Sequence, residues 1–311
     1  MNKRQLQLLV AVDEHRNLAR AADRLCISAP AVSKSLREIE LILDAELFIR
    51  GPRGLVPTTA GLCMVRHARN VLAQLATASE ELRFLRTGAL GSTALGVLPA
   101  AAPYLAPLGV LRLKEVAPSA DVILREGTLD ALLPELRGGR LQLIAGTVPP
   151  PRMCEELAVE VLCADEPIVA VVRTHHQLTH QEGLRLEDLA RHPWVVPPPG
   201  SYPGESLRHM LMRRQVAMPA NIIESGSIIA NKTMVQFSNA VGFFSRQIAT
   251  LYADQHAIRI LDIDLGTSVG PVGAMWIRGQ EHSPTTRMML DALRDAAGRM
   301  TPHAEVVAAV H

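Results

Sequence analysis

One junction constrains this chain more than any other feature. Residues 17–40 read NLARAADRLCISAPAVSKSLREIE, two amphipathic helical stretches separated by only Cys26, Ile27 and Ser28. So short a connection cannot stack two helices antiparallel, and the pair must cross steeply. Asn17 is a good N-cap, and Leu18, Ala21, Ala22 and Leu25 make one face of the first stretch. Ala21 and Ala22 are small enough for close approach. Ser28 caps the second stretch, whose apolar side chains Val32, Leu36, Ile39 and Leu43 recur at helical spacing. A rotation of about 100° per residue puts Ser33, Lys34 and Arg37 within roughly 60° of Pro30, opposite that stripe. One flank is therefore core. The other offers a hydroxyl, an ammonium and a guanidinium from the first helical turn, groups that reach base edges and phosphates in a major groove. On these residues alone, an ordinary helical corner with a solvated basic flank is the competing reading.

The surroundings extend the pattern. Residues 2–15 repeat apolar side chains at Leu6, Leu9, Val10 and Val12, which predicts a preceding helix. LFIRGPRGLVPT (47–58) reads as a two-stranded turn. A long helix follows from about residue 59 to 86, with Leu62, Val65, Ala68, Leu72, Leu75, Ala78, Leu82 and Leu85 every three or four positions. A stripe of that length on one side predicts pairing with another helix, from a second subunit. TGALGS (87–92) is the clearest linker. Beyond it strands and helices alternate. Strands are predicted at ALGVL, ADVILREG, LQLIAGTV, EPIVAVVR, HPWVV, ANIIES, AVGFFS and GPVGAMWIR. Helices are expected up to Val116, over 129–137, over 206–214 and from 284 to about 300. The βαβαβ order predicts a parallel sheet with covering helices.

Charge agrees in sign. Residues 1–87 hold thirteen Lys and Arg against nine Asp and Glu, so they carry +4 of a chain total of +1 and leave −3 for the rest. The four cysteines, Cys26, Cys63, Cys154 and Cys163, fit no disulfide framework and no metal spacing. Thiols in a reducing compartment are expected, with a redox-sensor role for Cys154 or Cys163 as the sharper alternative. The first residues lack a signal-peptide core, and no apolar run reaches about 18 residues, so a cytoplasmic protein without membrane contact is expected.

The first ninety residues resemble the amino-terminal domain of LysR-type transcriptional regulators. The residues that carry the resemblance are Leu6, Ala11, Ala21, Ala22, Leu25, Ser28, Pro30, Ala31, Ser33, Ile39, Glu40, Leu47, Phe48, Arg50, Arg53, Gly54, Thr58, Ala60 and Gly61. The remainder is similar to the family in organisation. The resemblance implies an α/β chain with three parts: a winged helix-turn-helix over 1–58, a dimerising linker helix over 59–87, and an effector domain over 92–303. The effector domain would be two-lobed and periplasmic-binding-protein-like, lobe one being 92–164 with 268–303 and lobe two 165–267. It implies that Ser28, Pro30, Ala31, Ser33 and Lys34 lie at the DNA with Arg37, and that Arg50 and Arg53 belong to the wing. The implied partners are double-stranded DNA, a small-molecule effector such as a carboxylate or sugar, further copies of the chain in a homodimer or homotetramer, and RNA polymerase. Departures from the family pattern are Ala29 in place of a usual Gln, Lys34 with Ser35 in place of a polar pair, and Leu41 and Ile42 in place of charged residues. Leu41 is expected to pack on the wing or the linker helix.

Two βα lobes would hold a ligand between their strand ends. Those ends supply Pro99, Ala100 and Ala101, then Thr128, Thr147, Ser201, Tyr202, Ser225, Ser227 and Phe244. Thr128 and Ser227 each begin a helix after a glycine, where free N–H groups suit a carboxylate or sugar hydroxyls, although a plain capping role is the simpler reading. The loop PAAAP (99–103) lacks the Ser or Thr that relatives often have there. Catalysis has no visible apparatus: GSYPG is not a nucleophile elbow and GALGS is not a phosphate loop. His175, His176 and His180 in RTHHQLTH read as a loop rather than a metal set, so neither metal nor cofactor is expected. A ligand-binding protein whose amino-terminal helices only dimerise is the alternative, and an enzyme built on the α/β half comes third.

Overall fold

The computed structural model describes residues 1–51, 54–150 and 155–300. Arg53 and Cys154 lie outside the described residues, as does the end of the expected lobe one, 301–303. The chain opens with α1 (Lys3–His15), α2 (Leu18–Leu25) and α3 (Ala29–Leu43), then the hairpin β1 (Phe48–Gly51) and β2 (Gly54–Pro57), then α4 (Thr59–Thr87). Each start has a local cause. Asn17 Oδ1 accepts from the N–H groups of Ala19 and Arg20, Ser28 Oγ from that of Ala31, and Thr58 Oγ1 from that of Gly61. Cys26 turns the chain between α2 and α3 with a left-handed φ of 54°. Leu9, Val12, Ala21, Val32, Ile39, Leu47 and Ala68 form one buried cluster beneath all of these elements.

The second part carries two five-stranded sheets. In chain order come β3 (Ser92–Val97), α5 (Leu105–Val116), β4 (Asp121–Glu126), α6 (Leu129–Arg137), β5 (Leu143–Thr147) and β6 (Leu157–Cys163). Then follow β7 (Ile168–Val172), α7 (Leu186–Leu189), β8 (Trp194–Val196), α8 (Tyr202–Arg213), β9 (Ile222–Glu224), α9 (Ile228–Gln236), β10 (Val241–Ser245), α10 (Arg246–Asp254) and β11 (Arg259–Ile260). The chain returns as β12 (Val272–Ile277) and ends its described part with α11 (Pro284–Met300). Lobe one is the sheet β4-β3-β5-β12-β6, and lobe two is β11-β7-β10-β8-β9.

Alternate residues of β3 explain the layering: Leu95 and Val97 join the cluster with Leu113 and Leu293, whereas Ala94 joins Leu132 and Leu136 of α6. Lobe two does the same with Trp194, which packs with Leu207 and Met210 of α8, and Val195, which faces Val235 and Ile248.

The expectation of a parallel sheet needs correction. β3 pairs parallel with β4 and β5, but β12 runs antiparallel to both β5 and β6. Lobe two is mixed in the same way, with β7 antiparallel to β10 and β11. In lobe one the odd strand is β12, which returns only after lobe two is complete and runs against both strands it joins. β6 and β11 lay outside the sequence expectation, and α8 begins at Tyr202 rather than at Ser206.

Two crossovers join the lobes, and they bond to each other. Pro167 and Ser268 form an antiparallel bridge, Ile168 N–H donates to Thr267 O at 2.9 Å, and Val269 N–H donates to Glu166 O at 2.9 Å. Among the described residues no helix is long and apolar enough to cross a membrane.

Candidate nucleic-acid interface and inter-lobe cleft

α3 has one sealed flank and one open flank. Val32 and Ile39 are 0% exposed and Leu36 is buried, while Pro30, Lys34 and Arg37 are exposed. Lys34 Nζ lies 4.0 Å from Glu38 with its side chain 81% exposed, a pair too solvated to hold it. Ser33 and Ala31 are half-buried beside them, and the Ser28 hydroxyl accepts from Ala31 N–H at 3.4 Å. That contact uses the Ser28 oxygen as an acceptor and leaves its proton to donate.

The wing is anchored at both ends. Leu55 N–H donates to Arg16 O at 2.8 Å, and the Thr58 hydroxyl donates to Glu46 O at 2.7 Å. Arg50 is exposed on β1, opposite Leu55. Leu41 does not pack on the wing or the linker helix: it is 80% exposed, and Ile42 is 66% exposed. α3 contacts the start of the hairpin through the Glu40 carboxylate instead.

Along α4 the expected single stripe divides. Val65 and Ala68 are buried under α1, with Leu72 packed beside them. Leu62, Leu75, Leu82 and Leu85 remain exposed. One helix thus serves its own domain with one face and offers another outward.

The residues expected at an effector site are spread over both lobes, and their surroundings differ. Pro99 and Ala100 sit half-buried in the turn after β3, and Thr147 ends β5 opposite Val272. Thr128 is exposed at the start of α6, and its side chain makes no capping hydrogen bond. The serines of lobe two differ. Ser201 Oγ donates to Pro198 O at 2.6 Å and accepts from Gly204 N–H at 3.2 Å. Ser225 Oγ accepts from Ser227 N–H, and Ser227 Oγ from Ala230 N–H. Those hydroxyls shape loops and cap helices. Two further expected residues are core: Ala101 is 0% exposed, and Phe244 is 3% exposed and packs edge-on to Tyr252 at 6.2 Å. The alternation of β10 turns Phe244 toward α9 and α10.

Sequence reasoning named Tyr202 but overlooked Gly270 and Glu166, which lie on the crossovers. Tyr202 lies against Gly270, where an added Cβ would meet the ring at 2.6 Å, and Gly270 has a left-handed φ of 80°. Glu166 is buried, and its Oε1 accepts from Gln247 N–H at 2.7 Å. Burial pushes its carboxyl above the usual range. A Glu within a polar loop gives no sequence signal for this, because its burial follows from the crossover pairing. The Cys163 thiol is also pushed up, by burial first and then by the Glu166 carboxylate. That opposes the thiolate a redox sensor needs. His176 is a buried cap, its Nδ1 accepting from Leu178 N–H at 3.1 Å. Among the described residues no His, Cys, Asp and Glu group could hold a metal ion.

A helix-turn-helix with an open cationic flank, joined by one long helix to two α/β lobes linked by paired crossovers, defines a DNA-binding regulator with a ligand-sensing body. Residues 4–62 match the bacterial regulatory helix-turn-helix protein, lysR family, and residues 86–298 match the LysR substrate binding domain. The chain belongs to the LysR family of transcriptional regulators. It is 34% identical over 300 residues to the HTH-type transcriptional regulator GbpR of Azospirillum brasilense, covering 94% of this chain and 86% of that one. The fold is shared with full-length OxyR from Pseudomonas aeruginosa at a TM-score of 0.70, with 21% identity over 94% of this chain and 98% of that one. It is also shared with full-length CbnR complexed with its target DNA, at a TM-score of 0.65 and 18% identity over 95% of this chain and 100% of that one.

Proposed function

We propose that this regulator reads its operator with the outer flank of α3, through Ser28, Pro30, Ala31, Ser33, Lys34 and Arg37, and steadies itself on the backbone with Arg50 of the wing. Arg53 belongs to the same reading by its position in the sequence. The observation that carries this is the exposure of Lys34 and Arg37 on a helix whose opposite side, Val32 and Ile39, is wholly buried. The target DNA in the complex of CbnR supports the same use of this fold. The division at 1–58, 59–87 and 92–303 is proposed with it, as is a cytoplasmic location beside the DNA. The chain acts by binding rather than by catalysis.

We infer that a small-molecule effector, a carboxylate or sugar, binds between the lobes. Thr128 supplies a hydroxyl, Pro99, Ala100 and Thr147 supply lobe one's wall, and Tyr202 with the loops of Ser201, Ser225 and Ser227 supplies the facing wall. Closure on the effector changes the angle between lobes and so the spacing of paired recognition helices, a shift between pre-existing states. Two copies pair through the outward leucines of α4, and two dimers make the tetramer. Contact with RNA polymerase follows from operator binding beside a promoter.

The test uses a duplex selected by the purified full-length chain from a random pool. Tight, salt-sensitive binding to it, lost on Lys34→Ala with Arg37→Ala, is the expected result. Retained affinity in that double variant would remove α3 from the interface. A thermal-shift screen of small carboxylates and sugars identifies the effector class, and a shift that disappears in Thr128→Val ties it to the cleft.

A further inference from the structure

The effector domain packs on α4 and reaches the end of α1 at a place away from the TGALGS connection. After α6 the chain turns through Gly138, Gly139 and Arg140, and this turn lies directly on α4. A Cβ at Gly139 would sit 2.7 Å from Ala73 Cβ, and one at Gly138 would sit 3.1 Å from Arg69 Cδ. Gly139 has a φ of 69°, so both the space and the backbone ask for glycine. Beneath the turn, Arg69 bonds from α4 to Asp13 at 3.1 Å and Glu14 at 3.2 Å, both at the end of α1. Arg140 itself reaches Glu14 at 3.9 Å.

The other attachment lies at the far end of α4. There Thr285 Oγ1 donates to Glu80 at 2.7 Å and Arg287 pairs with Glu81 at 2.9 Å, both from α11 of lobe one. Among the described residues no hydrogen bond or ion pair joins lobe two to the first 87 residues. Lobe two is held through the paired crossovers and the core they share with lobe one.

We propose that the turn at residues 138–140 is an interdomain latch. It makes the helix-turn-helix, α4 and lobe one a single moving unit, and it leaves lobe two as the part that swings. The inference rests on the functional reading above for its regulatory meaning but not for its mechanics. Two fixed points about eleven residues apart on a helix at about 1.5 Å per residue span roughly 17 Å, enough lever arm to stop lobe one pivoting about the linker. A closing movement of lobe two would then act against a body that already includes the recognition helix.

Hydrogen exchange on the full-length chain tests the mechanics. Ala73→Arg inserts bulk under the turn without straining Gly139. Arg140→Glu sets a carboxylate against Glu14, and Arg140→Lys keeps a cation there. In Ala73→Arg, amides at 138–142 and in the last turn of α1 should exchange about tenfold faster, with β7, β8 and β10 unchanged. Arg140→Glu should move the same peptides by less, and Arg140→Lys should leave them as in the wild type. Unchanged exchange at 138–142 in Ala73→Arg, or acceleration spread equally through lobe two, overturns the latch. The selected duplex tests the regulation: releasing the latch should shift its apparent affinity about two- to thirty-fold, the range carried by interdomain coupling contacts. Lost protection with unchanged affinity would overturn the regulatory role. Failure of the wild-type chain to bind any duplex would instead sink the DNA-binding reading, and the exchange result would still decide the mechanics.

Discussion

The carboxylate of Glu40 accepts hydrogen bonds from the backbone N–H groups of Leu47, at 2.8 Å, and Phe48, at 3.2 Å. This one side chain ties the recognition helix to the first strand of the wing. Leu47 is 1% exposed, so its N–H has little access to water if Glu40 is removed. Glu40→Ala should therefore cost about 1–3 kcal/mol of stability, the penalty for a buried donor left unpaired. It should also weaken duplex binding, because the hairpin is freed to reorient relative to α3. Urea unfolding measures the first effect, and a midpoint equal to wild type would show that water replaces the carboxylate.

Lys34 and Arg37 are exposed, and neither side chain supports the fold. Replacing either with Ala should leave the unfolding midpoint within about 0.5 kcal/mol of wild type. Each change should reduce the dependence of log affinity on log salt by about 1 if the residue contacts a phosphate. An anisotropy titration at several salt concentrations reads this directly. A weaker complex with an unaltered slope would assign the residue to base edges instead.

Thr128 is the N-cap residue of α6, and its hydroxyl makes no capping hydrogen bond. Thr128→Val should keep duplex affinity and thermal stability while blunting the response to an effector found in the carboxylate and sugar screen. Ser201 offers the contrast, because its Oγ both donates to Pro198 O and accepts from Gly204 N–H. Ser201→Ala should destabilise lobe two by about 1 kcal/mol, the usual worth of a cap. An identical dose–response in Thr128→Val would reduce it to a bystander.

His176 links lobe two to pH. Its Nδ1 accepts from Leu178 N–H and its Nε2 faces Asn239 O at 3.3 Å, an arrangement that suits the neutral ring protonated at Nε2. Burial holds its pKa below the ordinary 6.5, with neighbouring His192 and Arg173 acting in the same direction against the Asn239 bond. The folded state then binds fewer protons than the unfolded chain in that window. Stability is full above about 6.5 and falls as pH drops through the lowered value. His192 and His282 are lowered by burial too and add to the same slope. Thermal midpoints across this range should fall on acidification, and His176→Asn, which keeps an acceptor for Leu178 N–H, should flatten the decline. A parallel decline in that variant would assign the effect to other groups.

Leu82 and Leu85 of α4 are 68% and 75% exposed. Leu82→Glu with Leu85→Glu should turn the proposed dimer into monomers in sedimentation equilibrium, and it should weaken binding to a two-half-site duplex more than to a single half-site. An unchanged molecular mass would move the subunit interface elsewhere.

Local pattern alone determined the amino-terminal part of this protein. Asn17, Ser28 and Thr58 mark helix starts that the chain obeys, and the Val32, Leu36, Ile39 spacing names the buried side of α3. These features are legible because capping and amphipathic burial act within one or two helical turns. Tertiary structure decided the rest. Whether a serine hydroxyl is used up, as at Ser201, or left over, as at Thr128, depends on backbone groups brought near by neighbouring loops. The split of the α4 stripe depends on where α1 lies, and the burial of Phe244 depends on which helices cover lobe two. β6 and β12 complete a sheet begun more than a hundred residues before the last of them, so their pairing leaves no periodic trace nearby. Short-range energetics is written along the chain, whereas the paired crossovers and the glycine turn over Ala73 exist only once distant segments meet.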